Sequence, residues 1–298
     1  MGTILGAIAQ GILWGIMTLG VYITYKVMQF SDLTVDGSFA TGGAVAAVLI
    51  TVGVNPLLAL IISLIAGMAC GFITGVLHTA LKIPPILSGI LTMIALYSIN
   101  LRIQGKANIS LLGKDTVFTF LQEKFNLSSN MSNIIVGLIF AVIIIGGLYW
   151  FFGTEIGSAI RATGNNEDMV KALGVNISTI KILGLMISNS LVALAGGLVA
   201  QSQGFAAVDM GTGSIVIGLA SVIIGEVIFG SRFSFAYKMT TVVLGSIIYR
   251  LIIALVLQMG MRSTDLKLFT AIIVALALSL PVFKEKINTI KYSRKRLN

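Results

Sequence analysis

The stretch from Thr154 to Ser178 reads TEIGSAIRATGNNEDMVKALGVNIS and is a long polar interval set between two segments that can each cross a bilayer. Within it, Asn165 is placed to cap a helix whose first turn holds Glu167 and Asp168, whose last turn holds Lys171, and whose exit is Gly174. Acids then sit at the positive end of the helix dipole and the base at the negative end. Gly164 precedes that cap, where a turn between two short helices favours a residue free to take positive φ. Met169, Ala172 and Leu173 fall at i, i+3 and i+4 and form one small apolar face. That face is too small to span a membrane and well sized to press into a groove on another protein. The stretch is read as a docking element.

On either side of it the chain is apolar. Of 298 residues, 56% are hydrophobic and 10% charged, with a mean hydropathy of +1.00, against roughly 25% charged residues in an ordinary soluble domain. The class is an all-α polytopic membrane protein, one transmembrane domain over residues 1–298. About nine transmembrane helices are expected, with 8–10 as the range. They run from Leu5 to Tyr25, Asp36 to Gly53, Pro56 to Thr79, Ile83 to Leu101, Asn133 to Phe152, Ile182 to Ala200, Gly213 to Gly230, onward to Gln258, and a last one ending near Phe283. The second is barely long enough for a core of roughly 30 Å and contains Gly42-Gly43. It reads either as a bent, partly unwound helix beside a cavity or as a short helix with a flexible start. Asp36 to Gly53 and Gly213 to Gly230 are both short, glycine-rich and preceded by polar residues, the pattern of two pseudo-repeated halves. Gly67, Gly71 and Gly75 leave a smooth strip for a close helix neighbour. The interval around 103–132 is too long for a mere connector.

Orientation follows from the basic residues. With the tail at 284–298 in the cytoplasm, that side holds Lys26, Lys82, Arg161, Lys171, Lys181, Arg232, Lys238 and six basic residues of the tail, 13 in all, against 6 on the other side. The Thr154–Ser178 loop is then cytoplasmic, the 103–132 loop external and the amino terminus outside. The net charge of +9 is spent on this asymmetry and does not imply nucleic acid.

Few residues could do chemistry. There is no Walker-type phosphate loop, no H-E-x-x-H and no G-x-S-x-G, so no catalytic residues are assigned and no ATP site is expected in this chain. One cysteine, Cys70, and one histidine, His78, leave no ordinary metal site and no disulfide framework. Charges at membrane depth are costly and therefore informative. Glu226 and Arg250 lie on consecutive antiparallel spans, either as a buried ion pair or as polar lining of a pathway. Asp36, Ser38, Gly42 and Gly213, from the two glycine-rich starts, join them as the candidate pathway.

The run Gly157-x-x-x-Arg161-Ala162-x-Gly164-x-Asn166, continuing to Ala172-x-Gly174, resembles the coupling-helix loop of ABC importer permeases of the branched-chain amino acid and ribose type. Asp32-Leu33-Thr34-Val35-Asp36-Gly37-Ser38-Phe39 resembles the start of the second membrane segment in a branch that imports amino acids, tryptophan and tyrosine among them. The long outer loop and the basic tail depart from the pattern. The resemblance implies a membrane subunit that moves a small polar solute, with no enzymatic activity and no cofactor of its own. A separate ATPase would hold ATP and Mg and dock through Arg161, Gly164, Asn165, Glu167, Met169, Lys171, Leu173 and Gly174. An extracellular or periplasmic binding protein would deliver the solute, and a second permease copy would complete a homodimer in the inner membrane. The alternatives are an ion-coupled secondary transporter, or an ABC permease for a sugar or nucleoside.

Overall fold

The structure is a computed structural model that describes residues 2–230, 234–259, 265, 268–272, 274–276 and 279. In chain order the elements are α1 (Gly2–Tyr22), which runs into a π-helical turn (Ile23–Val27), then α2 (Thr34–Thr51), α3 (Pro56–Thr79), α4 (Pro85–Gln104), β1 (Asn108–Ser110), α5 (Val117–Phe125) and α6 (Ser129–Phe152). There follow α7 (Glu155–Asn165), α8 (Glu167–Ala172), α9 (Ile177–Gln203), β2 (Phe205–Ala207), α10 (Ser214–Phe229) and α11 (Phe235–Gln258). Their ends carry the expected chemistry. Asn55 accepts from Leu57 N at 2.9 Å with Pro56 in the first turn of α3, Thr116 and Thr119 form a capping box at α5, and Gly105 and Gly204 close α4 and α9 in the left-handed conformation.

Seven helices are long and apolar enough to cross a membrane among the described residues, α1 being counted with its π-helical turn. The expected seventh span is present as α10 with 16 residues, about 24 Å of helix and so short of a full crossing. The expected ninth span, the basic residues Arg232, Arg262 and Lys267, and the 284–298 tail lie outside the described residues, apart from isolated helical positions between 268 and 279.

Lipid gives no hydrophobic drive for helices to associate, so close contact has to come from small residues. The bundle is built that way around α9. A Cβ on Gly67 or Gly71 of α3 would run into the Asn189 or Leu185 carbonyl of α9, and the expected glycine strip is this contact. α2 meets the opposite part of α9 through Gly42, which lies on the Ala193 carbonyl, and Gly196, which lies on the Phe39 carbonyl. α1, α2 and α9 bury most of their surface and supply most of the largest core cluster, with Trp14, Phe39, Val192 and Leu198, joined by Leu60 of α3. α3, α4, α6 and α11 turn apolar faces outward, and Tyr149 and Trp150 stand exposed at the end of α6, as aromatic residues do at a membrane interface.

The 103–132 loop, expected to be external, is a folded cap. β1 pairs antiparallel with β2, Asn108 opposite Ala207. Val117 N donates to Gln201 Oε1 at 3.0 Å, and the Ser132 hydroxyl donates to the Phe118 carbonyl at 2.8 Å. Phe118 is buried in the main core. This cap closes one end of the bundle, and α7 and α8 occupy the other.

The second span is a regular helix that starts below the end of its neighbour. The Thr34 hydroxyl lies 2.7 Å from that of Thr74, five residues before α3 ends, or about 7 Å inward at 1.5 Å per residue. The irregular segment between the π-helical turn and Thr34 is therefore already at depth. On the other side, the chain after β2 descends without helix, Met210 beside Gly43 and Gly211 against the Asp36 carbonyl, before α10 begins. Irregular backbone at this depth survives because protein groups answer it.

Candidate functional site

Two places carry the polar groups: the α7–α8 hairpin at one end, and the interior junction where α2 and α10 start. In the hairpin, the Thr154 hydroxyl accepts from Gly157 N at 3.3 Å and opens α7. Gly157, Ile160 and Thr163 form the buried side of α7. The helix continues through Asn165, and the Asn166 backbone closes it by donating to the Ala162 carbonyl at 2.9 Å. Asn166 then turns out of the helix, with φ −157° and ψ 102°, and its side-chain oxygen accepts from Met169 N at 3.0 Å.

The cap of α8 is thus Asn166 and not Asn165. Asn165 is held in the last turn of α7 because that helix is longer than the sequence suggested. Gly164 also departs from the turn conformation expected of it. It is helical, without positive φ, and it is small because a Cβ there would run into the Val27 carbonyl at the π-helical end of α1. The remaining features stand as read: Glu167 and Asp168 in the first turn, Lys171 in the last, and Gly174 at φ +81°.

The hairpin is anchored on one side and bare on the other. Val170 is buried, and Glu167 Oε1 pairs with Lys181 Nζ of α9 at 2.7 Å. The Arg161 guanidinium lies 5.1 Å from the centre of the Phe235 ring at the start of α11. Met169 is 48% exposed and Leu173 73%, so the apolar face read from the sequence is offered outward.

At the interior junction Asp36, in the first turn of α2, caps α10. Its Oδ2 accepts from Gly213 N at 2.8 Å, and its Oδ1 accepts from the Ser214 hydroxyl at 2.8 Å and from Ile215 N at 2.9 Å. A carboxylate at the positive end of a helix dipole is favourable electrostatically, and it answers donors that no water in a bilayer core could reach. Gly213 takes φ +81° to make the turn. Asp36→Ala should therefore lower the stability of the purified protein by about 2 kcal/mol, with Asp36→Asn, which keeps one acceptor oxygen, in between. Thermal unfolding in detergent reads the order, and an alanine variant as stable as the native chain would contradict it.

Beside this cap lies a second buried network. The Ser38 hydroxyl donates to Asn189 Oδ1 at 2.6 Å, and Asn189 Nδ2 donates to Asp32 Oδ2 at 2.8 Å. Asp32 Oδ1 accepts from Thr34 N at 2.9 Å. Asn189 was not singled out from the sequence, although an amide inside the apolar run 182–200 was the available signal.

The six candidate pathway residues do not form one lining. Asp36 and Gly213 meet, whereas Ser38 joins the Asn189 network and Gly42 is a helix contact. Glu226 does not pair with Arg250: its Oε2 is 2.9 Å from Lys26 Nζ, because α10 runs alongside the end of α1. The Arg250 guanidinium stacks 4.2 Å above the Trp14 ring, which itself stands 4.9 Å from Phe39. His78 faces its own exit turn, Nδ1 2.9 Å from the Ile83 carbonyl oxygen.

Helices too apolar for water, two of them beginning at depth around a shared carboxylate, together with one anchored polar hairpin at an end, define a membrane permease. Comparison with known proteins gives the family. The chain belongs to the branched-chain amino acid transport system permease component family, whose profile matches residues 3–278, and it is an ABC permease. It is 44% identical over 274 residues, 92% of this chain and 90% of the relative, to the tyrosine transport system permease protein of Clostridioides difficile. Over 172 residues, 55% of this chain and 51% of the relative, it is 27% identical to the ribose import permease protein RbsC of Escherichia coli. A solved metal-chelate type ABC transporter in an inward-facing conformation shares the fold, with a TM-score of 0.50 at 16% identity over 95% of this chain and 85% of that one.

Proposed function

We propose that this chain is the membrane-spanning subunit of an ATP-driven importer for an amino acid, with tyrosine or another aromatic amino acid as its solute. The similarity to a tyrosine permease along nearly the whole chain carries the solute assignment. The hairpin, anchored through Val170 and Glu167 and bare at Met169 and Leu173, supports docking of a separate ATPase that holds ATP and Mg. Arg161, Gly164, Asn165, Lys171 and Gly174 shape and charge that docking surface. A binding protein on the far side delivers the solute, and the folded β1–α5 cap is the surface it meets. One hairpin per chain favours a homodimer of permeases over two ATPases, in a bacterial inner membrane with the carboxyl terminus cytoplasmic and the amino terminus outside. ATP binding then closes the ATPase pair, moves the hairpins and shifts the permeases between two populated states.

Purification from native membranes followed by reconstitution tests this reading. A co-purifying ATPase and ATP-dependent uptake of L-tyrosine, with none of ribose, are the expected results. Uptake by the isolated chain under an ion gradient alone would overturn the ATP-driven reading, and ATP-dependent uptake of ribose would overturn the solute.

A further inference from the structure

The cleft between α2 and α4 contains a side chain that the fold itself leaves unanswered. It has a volume of about 480 Å³ and is lined by Asp36 and Ala40 of α2, by Met93, Tyr97 and Asn100 of α4, and by Thr212 of the irregular segment before α10. Asn100 is 0% exposed, and among the described residues neither its amide oxygen nor its amide nitrogen has a hydrogen-bond partner. A buried primary amide with both functions idle is costly, and lipid offers nothing to relieve it. Met93 falls near the middle of α4 (Pro85–Gln104) and Asn100 in its last turns, so the cleft runs from mid-helix toward the capped end of the bundle. Tyr97 is 56% exposed there, a poor place for a hydroxyl facing hydrocarbon and a good one for a hydroxyl beside a polar ligand.

We propose that this cleft binds the α-amino acid in transit and that the Asn100 amide is its recognition group; the proposal rests on the amino acid reading above. An amide answers both ends of a zwitterion, its oxygen accepting from the ammonium and its NH₂ donating to the carboxylate. Asp36 accepts three hydrogen bonds from the start of α10 out of about four that a carboxylate can take. Its charge and its remaining lone pair favour the ammonium end. The rest of the lining, with Met93, Ala40 and the Tyr97 ring, is apolar, suited to an aromatic side chain. The volume lies within the roughly 300–1,000 Å³ of small-molecule sites.

The test uses the permease–ATPase complex in lipid nanodiscs, with Ser98→Cys introduced into a Cys70→Ser background. Ser98 also lines the cleft and is exposed, so its replacement leaves the bundle intact. L-Tyrosine near its solubility limit should slow alkylation of that cysteine. Tyramine, which lacks the carboxylate, and 3-(4-hydroxyphenyl)propionate, which lacks the ammonium, should not. Asn100→Leu, of similar shape, should weaken the protection about tenfold or more, the loss expected for a hydrogen bond to a charged group. Equal protection by all three compounds, or none by tyrosine, overturns the site. So does an Asn100→Leu complex that loses its second permease copy while tyrosine gives no protection in the native-Asn100 background, because Asn100 then belongs to the subunit contact. Uptake of L-tyrosine by the complete native assembly is measured alongside. Its absence sinks the amino acid reading itself, whereas uptake without protection sinks only the site.

Discussion

Replacing Met169 and Leu173 together with glutamate is expected to abolish ATP-dependent uptake while the helical bundle stays folded. Both side chains are exposed in the isolated chain, so neither carboxylate meets a buried neighbour within the permease. The anchors of the hairpin, Val170 in the core and the Glu167–Lys181 ion pair at 2.7 Å, are untouched. In an apolar contact with another protein, an unpaired charge costs about 3–5 kcal/mol, a loss of more than about a hundredfold in affinity. The expected signature is an unchanged unfolding midpoint, no retained ATPase subunit and no uptake. Full uptake by the double variant would reduce the hairpin to a connector. Gly164→Val should behave differently. It drives a side chain into the Val27 carbonyl and should lower stability and uptake together, which separates a damaged seat from a damaged surface.

The second large effect is expected at Gly42. Its place in a glycine-rich helix start suggested a wall of the pathway, where a bulky residue would narrow a cavity in a folded protein. The structure instead puts it against the Ala193 carbonyl of α9, so that even a methyl group must push two helices apart at backbone level. Gly42→Trp should yield little folded permease, visible as loss of the monodisperse peak on size exclusion. Gly213→Ala is the contrast: its Cβ would meet nothing within 4 Å, and the strain comes only from φ +81°, about 1–2 kcal/mol. A folded, inactive Gly42→Trp protein would restore the cavity explanation.

The span pattern was legible because a bilayer imposes length and hydropathy on each helix separately: seven of the expected spans match helices long enough to cross, α1 to α4, α6, α9 and α11, and the expected seventh matches the shorter α10. What depends on a partner far along the chain was not. The sequence offers Arg250 on the next span as a partner for Glu226, but its ion pair is with Lys26, 200 residues away. The length of the 103–132 loop marks it as more than a connector, yet nothing local tells β1 that its partner is β2. Asn165 and Asn166 are chemically identical neighbours, and the choice of cap depends on how far α7 extends, which its packing on Val27 decides. Asn189 is a single amide in an apolar run and Gln201 stands at the end of one; what each answers, Asp32 and Ser38 for the first and Val117 for the second, is set only when other helices arrive.

Side chains can change rotamer as two helices slide, but backbone against backbone has no such slack. Gly42 and Gly196 hold α2 on α9, and Gly67 and Gly71 hold α3 on α9, each by direct approach to a carbonyl. α2, α3 and α9 therefore behave as one block, in which a change of angle at one contact would open a void at the next. Alternation between two states then requires this block to turn as a unit, with the compliance outside it: in the π-helical end of α1 beneath Gly164, and in the unwound residues ahead of Asp36 and Gly213. Because α7 packs on the first of these hinges, with Gly164 against the Val27 carbonyl, a movement of the α7–α8 hairpin would arrive in the membrane as rotation of a rigid piece and not as a gradual repacking.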